Sequence, residues 1–431
     1  MSDLDAPGVS DKSTIDSASL IPTLISPIPD LQRKEVLYSL LLAAIGYCVD
    51  IYDSALFPIL RVASLRSIGI PSGEVLNQGI LLLNVQMIGM VVGACIWGLY
   101  GDRKGRRSVL FGSIFLYSIA TFLNGFIDSL PNYAACRFLS GVGLAGEMGA
   151  AMTIAAEIVP QKYRSYSMAG VASLAACGMI FASLCGGRLP WRLAYITAGV
   201  AGLVLLFARM SVKETPLFAN LACHSNFRPA SLKLLLCNRQ RFFRFLRCVL
   251  AAAPMWFVLS VVVSFGPEIL RSTGNDTIIT VASVTFFYAF GETSGKLLSG
   301  ILSQLLRSRR IAMSIFLAVA PVLCFITLHS NIRLYGPLCL VLGTSVGYWS
   351  VVMTSAAEQF GTNLRSTVMT LVTNLVRASA IPFTLLFGAM TPIVGALNAA
   401  MITGTISFAC AAISIALMEE TFQKDLDFVE S

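Results

Sequence analysis

The sequence predicts an all-α membrane protein, with twelve transmembrane helices arranged as two pseudo-symmetric six-helix bundles. Composition, the spacing of apolar stretches and an internal repeat predict it. Of the 431 residues, 56% are hydrophobic and only 13% charged, with a mean hydropathy of +0.75. Soluble domains carry about 25% charged residues. A spanning helix needs about 20 mostly apolar residues. Such stretches fall near 36–60, 79–100, 108–127, 133–158, 166–187, 191–210, 246–270, 279–303, 311–329, 334–357, 366–391 and 396–417.

The longest break between spans, residues 211–245, separates six from six. The two halves also share spacing. Gly89, Gly93 and Gly98 of span 2 recur as Gly291, Gly295 and Gly300 of span 8, each 202 residues on. Glu157, Arg164 and Ser165 recur as Glu358, Arg365 and Ser366, displaced by 201. A duplicated six-helix unit follows, with bundles at 36–210 and 246–418 and a basic cytoplasmic loop at 211–245. Residues 1–35 are polar, acidic and proline-punctuated; they are expected to be a disordered cytoplasmic tail, not a cleavable signal peptide. Residues 419–431 form a second cytoplasmic tail.

The net charge of +8 does not call for a nucleic-acid partner. With the N-terminus inside, only Arg61, Arg66, Arg188, Arg192, Arg271 and Arg333 lie outside, while Arg137, Lys296 and Arg377 lie within spans. The remaining basic residues are internal. That bias orients both termini towards the cytoplasm. The eleven cysteines are scattered without a C-x-x-C pair, and the two histidines have no sequence partner. The expectation is no disulfide framework, no metal and no cofactor.

After span 2 comes "GLYGDRKGRRSVLFG". Asp102 sits among Arg103, Lys104, Arg106 and Arg107 in a tight turn bounded by Gly98 and Gly105. Such a cluster can form an ion-pair latch; a basic membrane anchor is the competing reading. The full G-x-x-x-D-R-x-G-R-R pattern resembles the signature between spans 2 and 3 of the major facilitator superfamily. The resemblance implies that Asp102 and the following arginines, with Glu157 and Arg164 at the end of span 4, latch the outward-open state. In the second copy, "GILSQLLRSRR", Gln304 stands near the Asp position, so a weaker or absent C-terminal latch is expected.

Span 4 reads "RFLSGVGLAGEMGAAMTIAAEIVPQKYRS", with Arg137 near its start and Glu147 near its middle. An ionisable residue at that depth costs about 2.5–3.5 kcal/mol on insertion scales and points to function, with a structural ion pair as the alternative. The pattern resembles the metabolite:proton symporter branch, which imports oxoglutarate, citrate, proline or betaine. It departs from that branch at Ala145, where a second glycine is usual. Span 1 contains "GYCVDIYDSALF", which resembles the same branch. Asp50 and Asp53 are about 300° apart on a helical wheel and so share a face. Two close carboxylates in a poorly hydrated site do not both ionise easily. Asp50, Asp53 and Glu147 are therefore the expected proton-coupling set, with Arg137 as counter-charge. The bland alternative has the two aspartates lining a hydrated mouth.

Span 8 carries Glu292 and Lys296 at i,i+4, the order of a self-contained pair. Span 11 carries Arg377 with no acidic neighbour in its own helix, and Asn374 one turn earlier. Arginine offers a planar fork for a carboxylate or phosphate. "GKLLSG" and "LVRASAIP" resemble the anion-contacting segments of the organic-ion transporter family, which implies an anionic substrate at Lys296 and Arg377. Tyr52 and Tyr288 are candidate cavity walls. Pro254 and Pro382 permit kinks.

The expectation is a carrier, working as a monomer in a bacterial inner membrane, that couples protons to uptake of a small organic anion by alternating access. An exporter of amphipathic compounds and a transporter-like receptor are the rivals. No enzymatic motif stands out: "GETSGK" lacks phosphate-loop spacing and lies within a span.

Overall fold

The structure is a computed structural model that describes residues 33–104, 106–158, 164–209, 235, 237–272, 279–422 and 424. The described part is helical, in a multi-pass integral membrane architecture. In the first half the helices are α1 (Arg33–Ser67), α2 (Val75–Lys104), α3 (Arg106–Asn124), α4 (Leu130–Ile158), α5 (Arg164–Arg188) and α6 (Trp191–Arg209). The second half contains α7 (Arg239–Phe257), a π-helical segment (Val258–Val263), α8 (Gly266–Ser272), α9 (Val281–Leu305), α10 (Arg309–Leu328), α11 (Ile332–Val346), α12 (Trp349–Gln359), α13 (Thr362–Ala378), α14 (Ala380–Val394) and α15 (Ala396–Ala416). They trace the twelve sequence-predicted spans. The seventh runs through α7 and α8, the tenth through α11 and α12, and the eleventh through α13 and α14. Among the described residues, nine helical stretches are long and apolar enough to cross a bilayer by length and composition.

The repeat reappears in the packing. A Cβ added at Gly89 would overlap the carbonyl oxygen of Phe138, and one at Gly93 that of Val142. In the second half, Gly291 meets the carbonyl of Leu340 and Gly295 that of Thr344. These partners are again 202 residues apart. Small residues let helix backbones approach closely, so α2 seats on α4 as α9 seats on α11.

Three spans of the second half are broken. Pro254 lies inside α7, and the backbone loosens into i→i+5 bonds beyond it; the N–H of Ser264 reaches the carbonyl of Leu259 at 3.1 Å. The tenth span breaks at Gly347, which packs against Gly295. The eleventh breaks at Ser379, ahead of Pro382, whose ring nitrogen offers no N–H to the carbonyl of Ala378. Irregular backbone at membrane depth is tolerated where protein buries it or a cavity lies beside it.

Several boundaries differ from expectation. Helix α1 continues to Ser67, so Arg61 lies within it, not in an outer segment, and is buried. Helix α7 starts at Arg239, earlier than 246, because the Asn238 side chain accepts hydrogen bonds from the N–H groups of Gln240 and Arg241 and caps it. The tail after residue 418 is partly docked. Glu420 accepts from the N–H groups of Arg309 at 2.9 Å and Arg310 at 3.2 Å, and from the Ser308 hydroxyl. Arg309 pairs with buried Glu358 at 3.1 Å and also donates to Ser303 at 2.9 Å. In this half an ion pair forms between Arg309 and Glu358 and needs no acid at position 304. The turn residue Gly105 of the first latch lies outside the described residues, as do the side-chain positions of Asp102, Arg103, Arg106, Arg107, Glu157 and Arg164 and the surroundings of Gly98.

Two outcomes follow. Partial burial pushes the Glu420 carboxyl up, but the donors from Ser308, Arg309, Phe422 and Arg310 outweigh it and hold the group below the ordinary 4.5. Its contribution is present above that value and fades as pH falls through the lower folded value. The thermal midpoint of Glu420→Gln should therefore trail wild type at neutral pH and converge with it in acid; a gap unchanged by pH would contradict this. Gly291→Ala should cost about 1–3 kcal/mol by overpacking, read as a lowered midpoint. Gly170→Ala, where an added Cβ meets nothing, should not.

Candidate functional site

The break at Ser379 leaves Arg377 in the last turn of α13, pointed at α1. Its Nη1 donates to Asp50 Oδ1 at 3.0 Å and its Nη2 to Asp50 Oδ2 at 2.5 Å. Both side chains are 0% exposed. The guanidinium lies 5.9 Å from the centre of the Trp256 ring, and Nη1 is 4.0 Å from Met90 Sδ. This fork-to-fork bond joins the first span to the eleventh. Sequence reading left Arg377 waiting for a carboxylate from another helix or a substrate; in this conformation Asp50 supplies it.

Asp53 is also buried but turns elsewhere. It accepts from Thr121 Oγ1 of α3 at 2.7 Å and from Ser140 Oγ of α4 at 2.8 Å. Three residues along a helix leave about 60° between two side chains, enough for different neighbours. The two aspartates thus share a helix face but have separate hydrogen-bond partners. Arg137 is likewise not their counter-charge here. It donates to Gln86 Oε1 of α2 and lies 4.6 Å above the Phe57 ring. Glu147 is fully buried on α4.

On α9, Lys296 pairs with Glu292 at 2.6 Å, and both are buried. This is the self-contained i,i+4 pair. The break in the tenth span wraps it. Ser350 Oγ donates to the Lys296 carbonyl at 2.9 Å, and Ser299 Oγ donates to the Gly347 carbonyl at 3.1 Å. Asn374 Nδ2 donates to the Ala145 carbonyl of α4 at 3.0 Å, fastening α13 to the backbone two residues from Glu147.

Between the two ion pairs lies a small cavity of about 20 Å³, bounded by Tyr47, Met148, Trp256, Glu292 and Lys296. A second cavity of about 20 Å³ shares Ser54 and Trp256 with it and reaches Gln86 and Ser260. Each is about the size of one water. Tyr52 and Tyr288 bound neither cavity: Tyr52 is half-buried where Gly178 of α5 meets α1, and Tyr288 is buried against Gly343. Trp256 and Tyr47 hold the places expected of those tyrosines.

Two further contacts join helices of the two halves. Arg61 of α1 pairs with Glu268 of α8 and lies 4.5 Å over the Phe265 ring. Thr384 of α14 donates to Asn84 Oδ1 of α2 at 2.8 Å. Gln86, Asn84, Thr121, Ser140 and Glu268 were not singled out by sequence. Asn84 and Gln86 carried a signal, two amides within the apolar run "LLLNVQMIGM". Hydroxyls are too common in spans to have marked Thr121 or Ser140.

The chain is 27% identical over 394 residues to a probable 4-methylmuconolactone transporter of Cupriavidus pinatubonensis, covering 87% of this chain and 89% of that protein. It is 25% identical over 358 residues to the sialic acid transporter NanX of Escherichia coli, covering 80% and 84%. Its fold matches the proton:xylose symporter XylE, solved with 6-bromo-6-deoxy-D-glucose, at a TM-score of 0.69 and 15% identity over 91% of this chain and 98% of that one. Residues 42–384 match the family described as the Major Facilitator Superfamily, and the chain belongs to it as a membrane transporter.

Proposed function

We propose that the protein takes up a small organic anion together with protons by alternating access, and that Asp50 and Arg377 couple the two. The observation that carries this reading is the buried bidentate bond between them. Breaking a buried pair by removing one partner costs about 3–5 kcal/mol. Arg377 therefore stays in the site only when an anion faces it. When a substrate carboxylate takes the guanidinium fork, Asp50 loses its partner and must pick up a proton. When the proton leaves, Asp50 reclaims Arg377 and expels the anion. Substrate and proton thus enter and leave together, because each leaves a single negative charge facing Arg377.

The remaining charged groups are assigned around this exchange. Asp53, held by hydroxyls that can donate to a carboxylate or accept from a carboxylic acid, extends the proton-carrying set, with Glu147 beside the Asn374 contact. Lys296 is released to the anion only when Glu292 is protonated or drawn away. Asp102 and the arginines after it latch the outward-open state at the cytoplasmic end. The Arg61–Glu268 and Asn84–Thr384 contacts close the outer end. Protons moving in excess of anion charge draw about 2.3 kcal/mol per charge per 100 mV. The relatives named for sialic acid and 4-methylmuconolactone support a small organic substrate, and the fold neighbour named as a proton symporter supports proton coupling.

The reading is tested in proteoliposomes with an inward proton gradient, adding carboxylates, sialic acid and 4-methylmuconolactone singly while internal pH is followed. Uptake of one anion with acidification is expected. Arg377→Lys keeps the charge but loses the fork, and should raise KM roughly tenfold or more, the worth of one charged hydrogen bond. Asp50→Asn should keep anion binding but lose its dependence on pH. The neutral pair Asp50→Asn/Arg377→Gln should fold without the stranded charge and transport no anion. Wild-type anion transport by that double variant would sink the assignment, and proton efflux driven by a cationic compound would favour an exporter.

A further inference from the structure

The turn between α9 and α10 holds a feature outside the site described above. Among the described residues, Arg307 is the one non-glycine with positive φ, at +50°. It follows the end of α9, where its N–H reaches the Gln304 carbonyl at 3.3 Å. Glycine takes this conformation without steric cost, whereas a side chain does so unfavourably. A strained residue that persists invites a functional explanation for its side chain. Arg307 is exposed, and its guanidinium has no hydrogen-bond or ion-pair partner among the described residues.

Arg307 lines one end of a groove of about 720 Å³ together with Arg310. The Arg310 guanidinium reaches the Ala416 carbonyl at 2.5 Å. Glu420 also borders the groove, but its oxygens are taken up by Ser308 and by the backbone N–H groups of Arg309 and Arg310. Two guanidinium groups against one saturated carboxylate leave the groove positive. Its other end is apolar. Ile311 and Ile315, 52% and 44% exposed, and Ala318 continue down the outer face of α10. At 1.5 Å per residue they make a track of roughly 10 Å along the helix.

The geometry points to a binding site for an anionic phospholipid, with the headgroup phosphate at Arg307 and Arg310 and an acyl chain along Ile311, Ile315 and Ala318. Charge complementarity selects the headgroup, since paired arginines recognise phosphate oxygens. The apolar track beside them selects a lipid over a soluble phosphate. The same groove would leave a zwitterionic lipid held by packing alone, because its headgroup cation opposes the two arginines.

Native mass spectrometry of the purified protein, equilibrated with equal phosphatidylglycerol and phosphatidylcholine, tests the site. Wild type should retain phosphatidylglycerol preferentially. Arg307→Gly relieves the backbone and should keep or raise the thermal midpoint, yet cut that retention by about fivefold, the weight of one basic residue at a membrane surface. Arg307→Asn, which also tolerates the left-handed region, should lose retention in the same way. Undiminished retention in both variants would overturn the proposal. So would inorganic phosphate in plain detergent stabilising wild type as much as phosphatidylglycerol does.

Discussion

A charged guanidinium in the middle of a membrane protein needs an anion beside it, and this constraint organises the centre of the molecule. Arg377 is wholly buried and is met by Asp50 from the other half of the chain. The bond is an interaction between the halves, and under the proposed function also a claim on the substrate's place. Its geometry needs the eleventh span to end a helix at Ser379, which turns on Pro382, and needs Trp256 to roof the guanidinium just before the π segment of the seventh span. The broken helices are therefore not incidental irregularities. They bring side chains to one point that continuous rods would hold apart.

The second ion pair obeys the same constraint by another route. Lys296 carries its own glutamate one turn away, and its backbone carbonyl accepts from the Ser350 hydroxyl of the broken tenth span. One pair is made within a helix and the other across the halves. In the proposed alternating access, the pair across the halves is the one that a rocking motion would break. Arg61 and Glu268 repeat the pattern, also across the halves.

Much of this was legible in the sequence. Apolar stretches gave the helices, and the repeat of glycines at a fixed displacement foretold carbonyls approached at the same displacement, Phe138 with Leu340 and Val142 with Thr344. Asp50, Arg377, Lys296, Glu292 and Glu147 stood out because charge inside a span is costly. Their pairing did not, because helix periodicity says which residues share a face and not which distant helix lies opposite. Asp53 and Arg137 were expected together and have separate polar partners, since a hydroxyl or an amide satisfies a buried charge without announcing itself in sequence. Trp256 was not singled out, because nothing in sequence separates an aromatic that lies over a buried guanidinium from one that packs against lipid.

The account stands on the exchange of Asp50 for a substrate carboxylate at Arg377, and proton counting at equilibrium tests it most directly. Once a transported anion is in hand, it would be titrated into purified protein in weakly buffered detergent while free protons are followed. The account predicts uptake of one proton per anion bound near neutral pH, and none in Asp50→Asn. Anion binding with no proton taken up by wild type would contradict it.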